Sequence, residues 1–490
     1  MTNDSITINE EQVARTAQRC KERDIIVPTF AQMKDPSLVP EKIKAELKGI
    51  GLWDVHPRNL FRITWKNDPD TGGFHGVNFL ELPPALTGVK ARIFALVGKF
   101  FPTGAHKVGA SFGCLAPRLV TGTFDPTRQK AVWPSTGNYC RGGAYNSSLL
   151  ACDAVAILPE EMSRERFEWL ESIGSEIIAT PGCESNVKEI YDKCWELKAQ
   201  RGEQVVVFNQ FEEFGNPMWH YEVTAAAIEE VLAGALGSRD RFFGYISSTG
   251  SAGTIGAGER LKLSFPASKL IAAEALQCPT LLENGFGGHR IEGIGDKHVP
   301  WIHNLRNTDM VVAVDDQDPM GLLRLFNEPA GRKVLAAEGV ASELLDRLDL
   351  LGISGIANML AAIKAARWYE LDEHDVLFTI FTDSMELYGS RLEEAARLEG
   401  PYTEEMARRD LAIHLRSLKT DSMRELSHPD RRRIHNLKYY TWIEQQQREL
   451  AELNAQWHEH KTYWPERLAQ AAQVDRSIEA FNQRVGLDPA

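Results

Sequence analysis

Short apolar, β-branched runs alternate with helical patterns through the middle of this 490-residue chain, and this alternation limits the folds open to it. Strands and helices that alternate at this spacing form mostly parallel sheets wrapped by helices, because each helix returns the chain before the next strand. We therefore predict an α/β fold. The predicted strands are residues 91–97, 131–133, 154–158, 176–179, 205–208, 243–247, 269–273, 309–314 and 376–382.

The length of the chain exceeds that of one ordinary compact core and favours two subdomains with extensions. We predict an irregular N-terminal extension over 1–75, a core over 76–400 and a helical C-terminal extension over 401–490. Within the core, the smaller subdomain is expected at about 100–215, and the larger one at about 76–99 and 216–400. The predicted helices are residues 9–23, 108–119, 164–173, 185–198, 218–232 and 353–367, with a helical insertion at 327–350.

The C-terminal extension has an all-helical pattern, and Trp442, Trp457, Tyr463 and Trp464 punctuate it. Two interpretations are open. These aromatic residues pack on the body of the same chain or on a second subunit, or they form a separate binding surface. The first interpretation is favoured, because aromatic residues in helices more often form cores and interfaces than ligand platforms.

The formal net charge of −13 argues against a general nucleic-acid binder and against attraction to anionic membrane surfaces. No stretch of 18 apolar residues occurs, so no membrane-spanning segment is expected. Seven cysteines are scattered without a CxxC pair, which favours reduced thiols and no metal site. Together with a polar N-terminus, these features predict a cytoplasmic protein.

The first candidate motif is Thr103-Gly104-Ala105-His106-Lys107, which follows a predicted strand and begins a predicted helix. A lysine at such a junction lies where a ligand approaches a helix N-terminus. Taken in isolation, the segment would be interpreted as a glycine turn with an ordinary surface lysine.

The second motif is Ser135-Thr136-Gly137-Asn138, between the strand at 131–133 and the next helical pattern. Small hydroxyl residues and glycine leave backbone N–H groups that can bind a carboxylate, and Asn138 can hydrogen-bond a phenolic oxygen. Alone, this segment would be interpreted as a helix N-cap with a tight turn.

The third motif is the loop Ser248-Thr249-Gly250-Ser251-Ala252-Gly253-Thr254 after the strand at 243–247. Its small residues let several backbone amides converge on a phosphate near a positive helix end. The loop matches neither GxxxxGK[ST] nor GxGxxG, so it does not suggest binding of a nucleoside triphosphate or a dinucleotide.

In this order, the three motifs resemble those of the fold-type II pyridoxal-phosphate enzymes, the superfamily of the tryptophan synthase β-subunit. The glycine-rich segment 291–300, the segment 351–355 and Thr382-Asp383-Ser384 strengthen the resemblance, which extends over about 79–391. It implies two three-layer α/β/α subdomains with pyridoxal 5′-phosphate between them. It also suggests a homodimer.

The resemblance implies a role for each motif residue. Lys107 would bind the cofactor covalently and act as the base at Cα. Asn138 would hold the ring oxygen of the cofactor, and Ser384 would contact the pyridine nitrogen with a neutral hydroxyl. The cofactor phosphate would lie in the loop of Thr249, Gly250, Ser251, Ala252, Gly253 and Thr254, and the substrate carboxylate on Ser135, Thr136, Gly137 and Tyr139.

Within the superfamily, the phosphate loop and the Gly293-Ile294-Gly295 stretch are similar to the cysteine synthase and cystathionine β-synthase branch. This similarity implies β-elimination or β-replacement on a serine- or cysteine-type amino acid through an α-aminoacrylate intermediate. Tyr139 departs from the residues common at its position and changes the polarity expected for the substrate pocket. An amino-acid dehydratase or ammonia-lyase and a non-catalytic regulatory subunit with the same fold remain alternatives.

Overall fold

The computed structural model describes residues 8–135, 137–183 and 186–487. Within these residues the strands form two sheets, one of four strands and one of seven. The strands are β1 Phe79–Leu82, β2 Arg92–Val97, β3 Lys130–Pro134, β4 Asp153–Pro159, β5 Glu176–Thr180, β6 Val205–Val207, β7 Arg241–Ser248, β8 Lys269–Ala275, β9 Met310–Val314, β10 Asp375–Phe381 and β11 Met423–Glu425.

The smaller sheet has the order β5-β4-β3-β6, and its neighbouring strands are parallel. The larger sheet has the order β1-β2-β10-β7-β8-β9-β11. Its inner strands are parallel, whereas β1 and β11 at the two edges are antiparallel to their neighbours. The prediction of an α/β fold with mostly parallel sheets is therefore confirmed.

Helices cover both sheets and connect successive parallel strands. Among the described residues, no single helix combines the length and apolar character needed to cross a membrane. One pair of helical segments, Ser342–Leu350 and Ile353–Trp368, meets these criteria together by length and composition alone, and the pair is bent by 120°. The α-helices are α1 Glu10–Glu22, α2 Phe30–Lys34, α3 Glu41–Leu47, α4 Pro84–Thr87, α5 Lys107–Thr121, α6 Asn138–Leu149, α7 Arg164–Ser172, α8 Val187–Arg201, α9 Gly215–Trp219, α10 Ala225–Ala235, α11 Ile255–Ser264, α12 Thr280–Glu283, α13 Gln317–Asn327, α14 Pro329–Ala337, α15 Ser342–Leu345, α16 Ile353–Trp368, α17 Gly389–Glu399, α18 Glu404–Asp410, α19 His428–Lys438, α20 Leu450–His458, α21 His460–Leu468 and α22 Ala471–Val485. Short 3₁₀ segments are Pro36–Leu38, Pro57–Arg62, Gly98–Phe100, Gly202–Gln204, Leu348–Leu350 and Met385–Leu387, and π-helical segments are His220–Thr224, Leu411–Arg416 and Tyr439–Gln445.

The structure differs from the sequence-based expectation at both edges of the larger sheet. The prediction that the chain is all-helical beyond residue 400 is wrong, because Met423–Glu425 pairs with Met310–Val312. This strand has three residues, too few for a periodic pattern, and it exists because the neighbouring edge offers unpaired backbone groups. The edge strand β1 was not predicted either. The predicted helix at 185–198 begins at Val187 in the structure, and Ser185 lies outside the described residues.

The terminal segments pack on the body of this chain. Val13 of α1 and Phe481 of α22 lie in one hydrophobic core with Leu115 of α5. Because terminal and central residues share one core, we keep the division at residues 75 and 400 as a proposal. The aromatic residues of the C-terminal extension are buried in this chain, namely Trp442, Trp457, Tyr463 and Trp464.

A buried cation strengthens the attachment of the C-terminal extension. The ammonium of Lys438 donates to the backbone oxygens of Trp301 and His303 at 2.8 and 2.7 Å and to Gln456 Oε1 at 2.7 Å. Trp442 Nε1 donates to the backbone oxygen of Val299 at 2.8 Å. The extension therefore holds residues 299–303, which include the end of the glycine-rich segment 291–300.

The carboxyl ends of several strands meet where the two sheets face each other. Ser135 follows β3, Thr249 follows β7 and Thr382 follows β10. In open parallel sheets, ligands bind outside the carboxyl ends of the strands. The fold thus brings the three predicted motifs to one place.

Candidate active site

Lys107 is the first residue of α5, and the turn before it is anchored to the larger sheet. The backbone N–H of His106 donates to the backbone oxygen of Thr382 at 3.2 Å, directly after β10. The Nζ atom of Lys107 donates to Ser251 Oγ at 3.1 Å, although the two residues are 144 positions apart. The lysine of the first motif and the loop of the third are therefore in direct contact.

The loop from Thr249 to Thr254 lies between β7 and the N-terminus of α11. Its first residue is held by the backbone N–H of Thr249, which donates to the oxygen of Ala273 at 2.7 Å. Ala252 has φ +61°, a left-handed conformation that lets successive backbone N–H groups point to one side. At its end, Thr254 and Ser247 hydrogen-bond through their hydroxyls. Small side chains, converging amides, a helix N-terminus and a nearby lysine ammonium fit a phosphate group.

The side chain of Asn216 holds this loop through a hydrogen bond. Its Nδ2 donates to Ser251 Oγ at 3.0 Å and to the backbone oxygen of Gln210 at 2.9 Å. These two bonds restrict the side chain of Asn216 against Gly253, where an added Cβ would lie 2.0 Å from Asn216 Oδ1. A side chain at position 253 would therefore displace the loop.

We expect Gly253→Ala to weaken cofactor binding, because an overpacked loop costs about 1–3 kcal/mol, or about 5- to 150-fold in affinity. Titration of the variant with pyridoxal 5′-phosphate measures this loss. Gly250→Ala should be milder, since its Cβ would lie 3.2 Å from the backbone oxygen of Gly293. Gly234→Ala in helix α10, where an added Cβ meets nothing within 4 Å, is the control and should leave affinity unchanged. Equal affinities of Gly253→Ala and Gly234→Ala would contradict the expected role of the loop.

Ser135, Gly137 and Asn138 of the second motif lie at the start of α6. Ser135 Oγ accepts hydrogen bonds from Gln210 Nε2 at 3.1 Å and from the backbone N–H of Gly137 at 3.2 Å. Thr136 lies outside the described residues. Tyr139 is 1% exposed and packs edge-on against Trp133 with ring centroids 5.4 Å apart. Burial raises the pKa of Tyr139, which keeps its hydroxyl protonated.

Asn138 is held by a buried carboxylate that the sequence analysis did not assign. Asn138 Nδ2 donates to Asp383 Oδ2 at 2.6 Å, and the hydroxyl of Tyr388 donates to the same oxygen at 2.8 Å. Among the described residues, Asn138 Oδ1 is buried without a hydrogen-bond partner. The second amide N–H and this oxygen therefore remain for a ligand, which fits contact with the ring oxygen of the cofactor.

The carboxylate of Asp383 belongs to a buried charged network. Its Oδ2 lies 4.0 Å from Arg166 Nη2, and Arg166 forms an ion pair with Glu292. Glu292 also pairs with Arg391 at 2.7 Å. Burial is the largest cause that raises the pKa of Asp383, and Arg166 and the bond from Asn138 oppose it.

A narrow cavity collects residues from all these segments. Of the predicted site residues, Lys107, Ser135, Asn138, Tyr139, Gly250 and Ser251 line it. Gly137, Thr249, Ala252, Gly253, Thr254 and Ser384 belong to the adjoining turns and loops. Ser384 is 1% exposed and precedes the short turn Met385–Leu387. The remaining lining residues are Val187, Gln210, Phe211, Gly293, Gly295 and Thr382.

Sequence reasoning missed Gln210, Asn216 and Asp383. Gln210 follows β6, and its position just after the carboxyl end of a parallel strand could have identified it. Asp383 lies in the segment Thr382-Asp383-Ser384, but only the structure shows its contact with Asn138. Within the described residues, no cluster of histidine, cysteine and carboxylate side chains has the arrangement of a metal site.

The family model described as "Pyridoxal-phosphate dependent enzyme" matches residues 75–383. A probable cysteine synthase of Bacillus subtilis is 28% identical over 297 residues, covering 60% of this chain and 87% of that protein. A cysteine synthase of Staphylococcus aureus is 30% identical over 258 residues, covering 52% and 74%. The O-acetylserine dependent cystathionine β-synthase of Helicobacter pylori has the same fold, with a TM-score of 0.53, 24% identity and coverage of 64% and 94%.

Proposed function

Because this chain belongs to the family of pyridoxal-phosphate dependent enzymes, we propose that it catalyses β-replacement or β-elimination on a serine- or cysteine-type amino acid. The chain is an enzyme, and its cofactor is pyridoxal 5′-phosphate. The similarity to cysteine synthases supports chemistry at the β-carbon. The observation that carries the proposal is the 3.1 Å contact of Lys107 Nζ with Ser251 Oγ, which joins the reactive amine to the candidate phosphate loop.

The residues of the cavity would bind the cofactor and move the Cα proton of the substrate. Lys107 would hold the cofactor, and the loop of Thr249, Gly250, Ser251, Ala252, Gly253 and Thr254 would bind its phosphate. When bound, pyridoxal phosphate withdraws electrons from Cα of the substrate amine, so that the Cα–H bond weakens. The amine of Lys107 would take the Cα proton, because a partly buried amine between hydroxyls and backbone dipoles can act as a base.

Two side chains would set the electronics of the pyridine ring. Asn138, oriented by Asp383, would contact the ring oxygen. Ser384 would contact the ring nitrogen with a neutral hydroxyl, which leaves that nitrogen largely unprotonated. A neutral hydroxyl at this position would favour prompt loss of a β-substituent.

The substrate carboxylate would bind at the turn of Ser135, Thr136, Gly137 and Tyr139. The backbone N–H groups at this helix N-terminus attract a negative charge. Gln210 fixes the hydroxyl of Ser135, so that this group is oriented before the substrate arrives. The family resemblance also supports a homodimer, and the dispersed cysteines support a cytoplasmic location; we keep both as proposals.

Incubation with a panel of amino acids tests the proposal. We expect O-acetylserine with sulfide or another thiol to give a new C–S bond, which mass spectrometry of the products identifies. Serine, threonine, cysteine and diaminopropionate are the other members of the panel. Release of a 2-oxo acid and ammonia from serine or threonine alone would instead support the dehydratase or ammonia-lyase alternative. A protein that loads cofactor but transforms no amino acid at the β-carbon would be the regulatory subunit.

A further inference from the structure

Asp296 directly follows Gly295, which lines the cavity, and the proposed function does not use it. The backbone N–H of Gly295 donates to the oxygen of Thr249 at 2.8 Å, so this wall is joined to the phosphate loop. The backbone oxygen of Asp296 accepts from Thr280 Oγ1 at 2.7 Å. The residue is therefore held in place on both sides, close to the atoms that would hold the cofactor.

The two carboxylate oxygens of Asp296 differ. Oδ1 lies 3.2 Å from both the backbone nitrogen and Nδ1 of His298. Oδ2 is buried and has no hydrogen-bond partner among the described residues. Asp296 is only 6% exposed. A buried carboxylate oxygen without a hydrogen-bond partner costs free energy unless a ligand or substrate supplies that partner.

His298 connects this carboxylate to the outside. Its side chain is 14% exposed, whereas that of Asp296 is 3% exposed. The imidazole stacks on Tyr191 with ring centroids 5.9 Å apart, and Tyr191 packs edge-on against Phe211, which lines the cavity. The imidazole therefore contacts the Asp296 carboxylate and, through Tyr191, is joined to the cavity-lining Phe211.

We propose that Asp296 is a catalytic acid–base residue that exchanges a proton with the group entering or leaving at Cβ. The assignment rests on the proposed function and extends it. Lys107 serves Cα, whereas Oδ2 of Asp296 serves the β-substituent. His298 acts as a positioning residue that passes the proton to solvent.

In a replacement, the incoming H–X group gives its proton to Oδ2 while the lone pair of X forms the bond to Cβ. Lys107 returns to Cα the proton that it removed earlier. Rotation of the carboxyl group then brings this proton to His298, whose Nδ1 lies 3.2 Å from Oδ1, and it leaves to solvent, which restores the carboxylate. The other titratable groups around Asp296 are Tyr191, Cys278 and the neighbouring Lys297. The phenol and the thiol are less acidic than a carboxylic acid, so they do not replace Asp296 as proton acceptor near neutral pH.

Asp296→Asn keeps the shape of the side chain and removes its basic oxygen. With O-acetylserine and 2-mercaptoethanol, a thiol that keeps its proton at neutral pH, we expect kcat of the cofactor-loaded full chain to fall about 100-fold, the usual effect of a lost general base. Hydrosulfide has already lost the proton that a base would take, so with this nucleophile the loss in kcat should be below about tenfold. The KM for O-acetylserine should change little. His298→Gln should show a smaller loss with the same preference for hydrosulfide.

Exchange of the Cα proton of L-alanine in D₂O separates this inference from the proposed function. Alanine has no leaving group at Cβ, so its exchange, followed by NMR, reports Lys107 alone. Asp296→Asn should exchange alanine like the wild type, and the loop control Lys297→Gln should match the wild type in all measurements. Equal losses with both nucleophiles, or no loss, would overturn the role of Asp296. A wild-type protein that neither exchanges alanine nor forms product would overturn the proposed function itself.

Discussion

Lys107→Ala should lose turnover and the covalent link to the cofactor together. The variant removes the amine that holds the cofactor and moves the Cα proton, so we expect activity to fall at least about 1,000-fold. Reduction of the loaded wild type with borohydride, followed by peptide mass spectrometry, should place the mass of the cofactor on Lys107. The same treatment of the variant should leave that peptide unmodified.

Two further variants make this experiment specific. Lys107→Arg keeps a long cationic side chain, but its guanidinium does not lose a proton in proteins, so it should also be inactive. Lys90→Ala removes an exposed lysine that does not line the cavity and should behave like the wild type. If Lys107→Ala kept both the covalent adduct and turnover, the assignment of the reactive amine would be wrong.

Asp383→Ala should destabilise the protein and weaken its hold on the cofactor. The change removes the acceptor of two buried hydrogen bonds, from Asn138 and Tyr388. Leaving such donors unsatisfied costs about 1–3 kcal/mol each, so we expect the free energy of unfolding to fall by about 2–6 kcal/mol. Because Asn138 is then free to reorient, cofactor affinity should fall at least about tenfold, or about 1.4 kcal/mol.

Asp383→Asn separates the hydrogen bonds from the charge. Its amide oxygen can accept both bonds, so its losses in urea unfolding and in cofactor titration should be smaller than those of Asp383→Ala. Similar losses in both variants would show that charge, and not hydrogen bonding, is the important property.

The pH dependence of stability independently tests the direction in which the pKa of Asp383 is shifted. Its pKa is raised in the folded state, so the native protein binds this proton more tightly than the unfolded chain. Its contribution to stability is therefore fully present below the ordinary aspartate pKa and is lost as pH rises through the raised value. The stability of the wild type relative to Asp383→Asn should decline as pH increases in this range, and a rise would contradict the direction.

Local sequence patterns were sufficient to predict the elements of the core. The strands β2 to β10 are mostly apolar and are separated by helical periodicity, so their positions follow from neighbouring residues. The order of Lys107, the turn at Ser135 and the loop at Thr249 also depends on local chemistry, because each motif joins a strand to a helix. The short edge strand β11 has no such pattern, and it could not be predicted.

What the sequence by itself determined was the α/β class, the order of elements and the reactive segments, since each is written in residues close together along the chain. Only the tertiary structure decided which side chains meet. Asn138 and Asp383 are 245 positions apart, and Lys107 and Ser251 are 144 apart, yet each pair is in hydrogen-bond contact. The physical reason is that such contacts depend on how strands order within sheets and how the two sheets face each other, which no local spacing records.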